Sequence, residues 1–184
     1  MTRFAALTLA LVLTAFSTLD AQAPAGFDLK AWNVVGDANW SVTDGIVQAD
    51  KGSGFLVTPM PYGDFQITLD FWVTDDANSG VFIRCADPKT ITATNSYEVN
   101  IFDKRPDQSY RTGGIVDVAK PMSVVNTGGK WSSFDITARG KTIVVKLNGM
   151  TMVDIEDGKF ARGPIALQYG AGTVRFRNVQ IKAL

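Results

Sequence analysis

Nine consecutive residues, Phe65-Gln66-Ile67-Thr68-Leu69-Asp70-Phe71-Trp72-Val73, repeat with a period of two. Successive side chains of an extended strand point to opposite faces, so Phe65, Ile67, Leu69, Phe71 and Val73 share one face and need something apolar to cover it. Shorter runs of the same kind are Trp40 to Val42, Ile46 to Ala49, Gly54 to Thr58, Gly80 to Cys85, Tyr97 to Phe102, Gly114 to Val116, Ser133 to Ala138, Thr142 to Leu147, Ile165 to Tyr169 and Val174 to Ile181. Turn chemistry separates them: Asp44-Gly45, Pro61 to Asp64, Asp75 to Asn78, Arg139 to Lys141, Asn148-Gly149 and Asp157-Gly158. Asn148-Gly149, flanked by Val144 to Leu147 and Met150 to Val153, reads as a two-residue hairpin because both central positions tolerate positive φ. Almost nothing has helical spacing. So many short strands hide their apolar faces only when two antiparallel sheets pack face to face, so an all-β sandwich is expected.

Length and composition narrow the function. With 184 residues and 46% hydrophobic side chains, one core suffices, and a single domain is expected over 27–184. Residues 1–23 read as a secretory signal: Arg3 supplies a positive start, Phe4 to Phe16 an apolar run too short to span a bilayer comfortably, and Ala21-Gln22-Ala23 a small-x-small cleavage pattern. The protein is therefore expected to be secreted or periplasmic, with no membrane association once the signal is removed. A formal net charge of zero argues against nucleic acid as partner. The chain has no histidine, which removes the usual imidazole base and the commonest metal ligand, and Cys85, the single cysteine, permits no internal disulfide. No cofactor is certain. Asp154, Glu156 and Asp157, and likewise Asp75, Asp76 and Asn78, could supply oxygens to a divalent cation such as calcium, but they lack the spacing of a twelve-residue calcium loop and read better as exposed turns.

The polar interruptions concentrate between Asn78 and Asp103. Glu98, one of two glutamates in the chain, sits within Tyr97-Glu98-Val99-Asn100-Ile101-Phe102, where alternation turns Val99 and Ile101 inward and sends Glu98, Asn100 and Phe102 outward. The same rule turns Val81, Ile83 and Cys85 inward and Phe82 and Arg84 outward, and places Gln168 outward beside Ala166. One sheet face presenting Phe82, Arg84, Glu98, Asn100 and Gln168 would suit a sugar: amides, a guanidinium and a carboxylate for the hydroxyls, and a ring for the C–H face. Asp70 and Trp72 form a second, less favoured outward pair.

The chain resembles the 3-keto-disaccharide hydrolase domain family, of concanavalin A-like sandwich fold. The residues that carry the resemblance are Asn78 to Arg84, Tyr97 to Ile101 with Asp103, Trp131, the Leu147-Asn148-Gly149 hairpin, Gly163-x-Ile165-x-Leu167-Gln168 and Phe176 to Val179. The resemblance implies a two-sheet antiparallel jelly roll of the lectin and glucanase type, a sugar or glycan as partner, and Arg84, Glu98, Asp103 and Gln168 as the positions that matter. Asn100 stands where the family commonly has glutamine, and Gly170 where a histidine often follows. Double displacement at a glycosidic bond needs two carboxyl groups about 5 Å apart, and the outward positions after Glu98 are Asn100 and Phe102. A 3-keto sugar asks for less, since the ketone acidifies the C2 proton and one base removes it while the C1 substituent leaves. On this reading Glu98 is the base, Arg84 stabilises the enolate, Asp103 is a second acid or cation ligand, and Phe82, Asn100 and Gln168 bind substrate. The alternatives are a non-catalytic carbohydrate-binding module and a protein-interaction sandwich.

Overall fold

The structure is a computed structural model and describes residues 26–184. The proposed signal lies outside the described residues, among which no helix is long and apolar enough to cross a membrane. The expected strands form, with ends shifted by one or two residues: β2 (Ser41–Thr43), β3 (Ile46–Ala49), β4 (Gly54–Val57), β5 (Phe65–Val73), β6 (Asn78–Ile83), β7 (Tyr97–Ile101), β8 (Ser132–Arg139), β9 (Thr142–Leu147), β10 (Met150–Glu156), β11 (Ala166–Ala171) and β12 (Val174–Ala183). A further strand, β1 (Asn33–Gly36), was not expected. It is short and mostly exposed at a sheet edge, so it has no apolar rhythm to betray it. Gly114 to Val116 forms only isolated bridges, from Ile115 to Val99 and to Ala119.

Two antiparallel sheets result, a five-stranded one ordered β1-β4-β11-β6-β7 and a seven-stranded one ordered β10-β9-β8-β5-β12-β3-β2. β5 is central to the larger sheet, and its five alternating apolar residues are at most 2% exposed. They meet Val81, Ile83, Tyr97, Val99 and Ile101 of the smaller sheet in one core. Asn148 and Gly149 both have positive φ, and Met150 pairs with Leu147, as the hairpin reading requires.

Alternation fails at one place that matters. β6 ends at Ile83, and Arg84 adopts φ +54°, a left-handed conformation uncommon outside glycine. That single turn exchanges the two sides: Cys85 joins a cluster on the outward face, and Arg84 is not outward as alternation implied but 1% exposed at the end of the sandwich. Its Nε donates to Gly63 O (3.0 Å), and its Nη1 to Gly140 O (2.8 Å) and Phe160 O (3.2 Å). Its Nη2 meets the Asp64 carboxylate at 3.3 Å. Gly63 and Asp64 precede β5, and Gly140 is the β8–β9 turn, so the guanidinium fastens the smaller sheet to the larger. Removing it strands several carbonyl oxygens at once. Arg84→Met is expected to lower the unfolding free energy by about 2–4 kcal/mol in urea titrations, from lost hydrogen bonds and packing.

Candidate functional site

On its outward side the smaller sheet carries two rows of side chains running across the strands. In the first, Phe82 stands opposite Ala166 on one side and Glu98 on the other. Val57, Phe82, Cys85 and Ala166 pack under Ile91, contributed by the segment after β6, into a second small core. Phe82 does point outward, but at 2% exposure, with its ring edge-on to Phe55 at 5.2 Å, it forms the floor under the site and offers no face to a ligand. The second row is open toward β4 and β1, where Gln168, Phe55 and Val35 are partly exposed, and covered toward β7, where Gly80 and Asn100 are buried. Pairing registers align Val35, Phe55, Gln168, Gly80 and Asn100 across all five strands. Gly80 makes room in it: a side chain there would sit 3.4 Å from both the Glu98 Cγ and the Phe82 ring.

The segment between β7 and β8 closes the far end. Asn100 N donates to Gly114 O (2.9 Å), Gly113 N to Asn100 O (2.9 Å) and Val116 N to Glu98 O (3.0 Å), which continues the sheet beyond β7. The clamp for this segment is Asp103, which lies past the end of β7. Its carboxylate accepts from Thr112 Oγ1 (2.5 Å), Thr127 Oγ1 (3.1 Å), Gly128 N (2.8 Å) and the Thr127 amide. Asp103 therefore holds a loop: its carboxylate is engaged by these donors, which sets it apart from the second-acid or cation-ligand role read from the sequence. Arg84, tied between the sheets, is likewise removed from the enolate-stabilising role.

Glu98, Asn100 and Gln168 do come together on the face where alternation placed them. Burial pushes the Glu98 carboxyl up to about 7; the Arg105 guanidinium works against that shift and the Asp117 carboxylate with it. None of the described residues donates a hydrogen bond to this carboxyl within the site. Asn100 is fully buried, and its Nδ2 donates to Tyr110 O, which fixes the amide with Oδ1 free. Asn100 Oδ1 and Gln168 Oε1 are both buried without a partner among the described residues. A buried acceptor left unmade costs about 1–3 kcal/mol, so these two, flanking one glycine, are candidates to receive a ligand's donors. Pattern reading also missed the rim. Arg105 lies over the Tyr110 ring (5.2 Å) and the Phe102 ring (5.9 Å), and Asp117, at φ +60°, pushes the Tyr110 phenol up through a hydrogen bond between them. These residues sit in a segment without periodicity, so the sequence carried no signal for them. Gly80 and Phe55 could have been found by extending the alternation to the neighbouring strands.

Position 170, where the family resemblance led us to expect a histidine, is tightly confined. A Cβ on Gly170 would stand 2.9 Å from Asn78 O and 3.0 Å from Asn78 Nδ2, so the Asn78 amide occupies that side-chain space. Among the described residues no group of three or more Asp, Glu or Cys is arranged to hold a metal ion. Asp157, a calcium candidate, instead accepts from the Tyr97 hydroxyl (2.6 Å) and from Lys159 N (2.8 Å). Asp75 faces Lys104 at 3.6 Å. The Asp70 and Trp72 pair on the larger sheet is also engaged, Asp70 with Arg177 (3.1 Å) and Trp72 under Arg175 (4.5 Å).

Fold and topology define a lectin- and glucanase-type sandwich whose smaller sheet carries buried polar side chains, Glu98 and Asn100 among them, on its outward face. A proposed glycosyl hydrolase from Parabacteroides distasonis has the same fold at TM-score 0.76 and 23% identity, covering 85% of this chain and 90% of that one. A second such protein from the same organism reaches 26% identity and TM-score 0.71, over 83% and 99%. The carbohydrate-binding module CBM66 of Bacillus subtilis follows at TM-score 0.67 and 20% identity, over 83% and 96%. A search of curated protein sequences finds no match. The chain belongs to the family described as the 3-keto-alpha-glucoside-1,2-lyase-like domain, whose model matches residues 20–182.

Two measurements probe this geometry. Asp103→Ala is expected to speed amide hydrogen exchange at Gly113, Gly114 and Val116 far more than in β8 and β9; uniform acceleration would show that Asp103 supports the whole sandwich and not this loop. Glu98 gives a pH-dependent signal. Its folded pKa lies above the unfolded value, so its stabilising contribution is complete below about 4.5 and is lost as pH rises through about 7. Glu98→Gln, neutral at every pH, is therefore expected to melt higher than the wild type at pH 8, by up to roughly 3 kcal/mol, and to match it near pH 4.

Proposed function

We propose that this protein is an exported carbohydrate-active enzyme that opens the glycosidic bond of 3-keto-glucosides by elimination across C1 and C2, with Glu98 as the base. The observation that carries the reading is Glu98 itself: a carboxyl with its pKa raised to about 7 by burial, next to two unpartnered amide oxygens. A base works best with a pKa near the operating pH. In the proposed step, Glu98 accepts the C2 proton, the electron pair forms the C1–C2 double bond, and the C1 substituent departs with its bonding electrons and is then protonated. The C3 oxygen carries negative charge on the way, and Arg105 is the cation whose field reaches Glu98. Asn100 Oδ1 and Gln168 Oε1 accept from sugar hydroxyls. Water adding to the double bond afterwards makes the net reaction a hydrolysis. The family description supports the bond and the substrate class, and the N-terminal segment supports action outside the cytoplasm.

A second reading, sugar binding without turnover, is favoured by the Asn78 amide standing in the histidine's place and by the departure of Arg84 and Asp103 from the cleft. Kinetics separate the two. Purified protein incubated with a 3-keto-disaccharide is expected to release free sugar, with kcat/KM rising through an apparent pKa near 7, and Glu98→Gln to lose about 10²–10⁴-fold in kcat. Saturable calorimetric binding with no released sugar at any pH would replace catalysis with the binding reading.

A further inference from the structure

The row that contains Asn100 does not stop at Glu98's neighbours. It continues through Gln168 to Phe55 and Val35, and beyond Gln168 the surface sinks into a depression lined by Val35, Gly54, Phe55, Gln168 and Gly170. Adjacent strands are about 4.8 Å apart, so Phe55 lies roughly 14 Å from Asn100 across three strand spacings, more than one pyranose ring covers. The two ends differ in chemistry. Near β7 stand a carboxyl, an amide and the Arg105 guanidinium; near β4 stand a half-buried aromatic ring, glycine backbone and Val35. Gly54 is held at φ +153°, and a side chain there would meet Val35 O at 2.3 Å, so the floor under this end stays backbone. The Phe55 ring is fixed edge-on by Phe82. Ser53 also lines the depression, and between the two ends Gln168 Oε1 is buried and without a partner among the described residues.

We infer that this depression is a second subsite, which takes the leaving-group ring of a two-ring glycoside: the Phe55 ring packs against its C–H face, and Gln168 accepts a hydroxyl at the junction. The inference rests on the glycoside-directed reading of the Glu98 site and adds a direction to it, with the keto ring at β7 and the leaving group toward β1.

The test uses Glu98→Gln protein, which holds ligand without turning it over. Calorimetry compares a 3-keto-disaccharide with the methyl 3-keto-glucoside, which lacks the second ring. The disaccharide is expected to bind about tenfold tighter, the worth of one well-stacked ring. Adding Phe55→Ala is expected to erase that advantage and leave the methyl glycoside unchanged. Equal affinities for the two ligands, or a Phe55→Ala loss shared by both, would overturn the subsite while leaving the Glu98 reading intact. Binding of neither ligand would overturn both. Because Phe55 also packs on Phe82, the unsubstituted ring is followed as well: amide shifts at Gly54, Phe55 and Gly170 are expected to move with the disaccharide alone, and their silence counts against the subsite even if Phe55→Ala does not fold.

Discussion

The site depends on how the Asp103 carboxylate is satisfied. A buried carboxylate is costly unless donors surround it, and Asp103 gathers its donors from Thr112, Thr127 and Gly128, widely separated points of one long segment. Held there, the segment lies along β7 and bonds to Asn100 and Glu98 through their backbones. An edge strand thereby becomes an interior one, and Glu98 loses most of its water. The raised proton affinity of Glu98 is thus set in part by an acid five residues further along that never touches it.

Satisfaction of polar groups also separates structural side chains from candidate functional ones. Arg84 spends its guanidinium on three carbonyls and a carboxylate between the sheets, and Asp103 is saturated by its loop. Asn100 Oδ1 and Gln168 Oε1 are buried and incomplete. All four are polar residues in strand-rich sequence, and residue type alone ranks the arginine and the aspartate higher. The difference lies in which of them still has hydrogen-bonding capacity to give.

Alternation was enough to read the sandwich, the Asn-Gly hairpin and the shared face of Glu98, Asn100 and Gln168, because β7 and β11 are regular where those residues lie. It misplaced Arg84 because one left-handed residue interrupts the count, and nothing in Ile83-Arg84-Cys85 announces a positive φ in a residue other than glycine. It pointed Phe82 correctly but could not foresee the covering Ile91, which arrives on a segment with no period. Arg105, Tyr110 and Asp117 were hidden for the same reason: their positions follow from the Asp103 clamp and from chain closure, not from a repeating pattern.

On the proposed reading, the site favours one chemistry over its neighbours. Double displacement asks for two carboxyls across the scissile bond, and Asp103, the nearest acid along the chain, is committed to its loop. Histidine-assisted chemistry at position 170 is blocked by the Asn78 amide in the space a side chain would need. What survives is one desolvated carboxyl, on which the Arg105 guanidinium and the Asp117 carboxylate both act, and two open amide acceptors. A substrate that brings its own activation, in the form of a ketone next to the proton to be removed, needs no more than that. On the proposed reading, an unactivated glycoside, whose C2 proton is not acidic, gives that carboxyl nothing to remove.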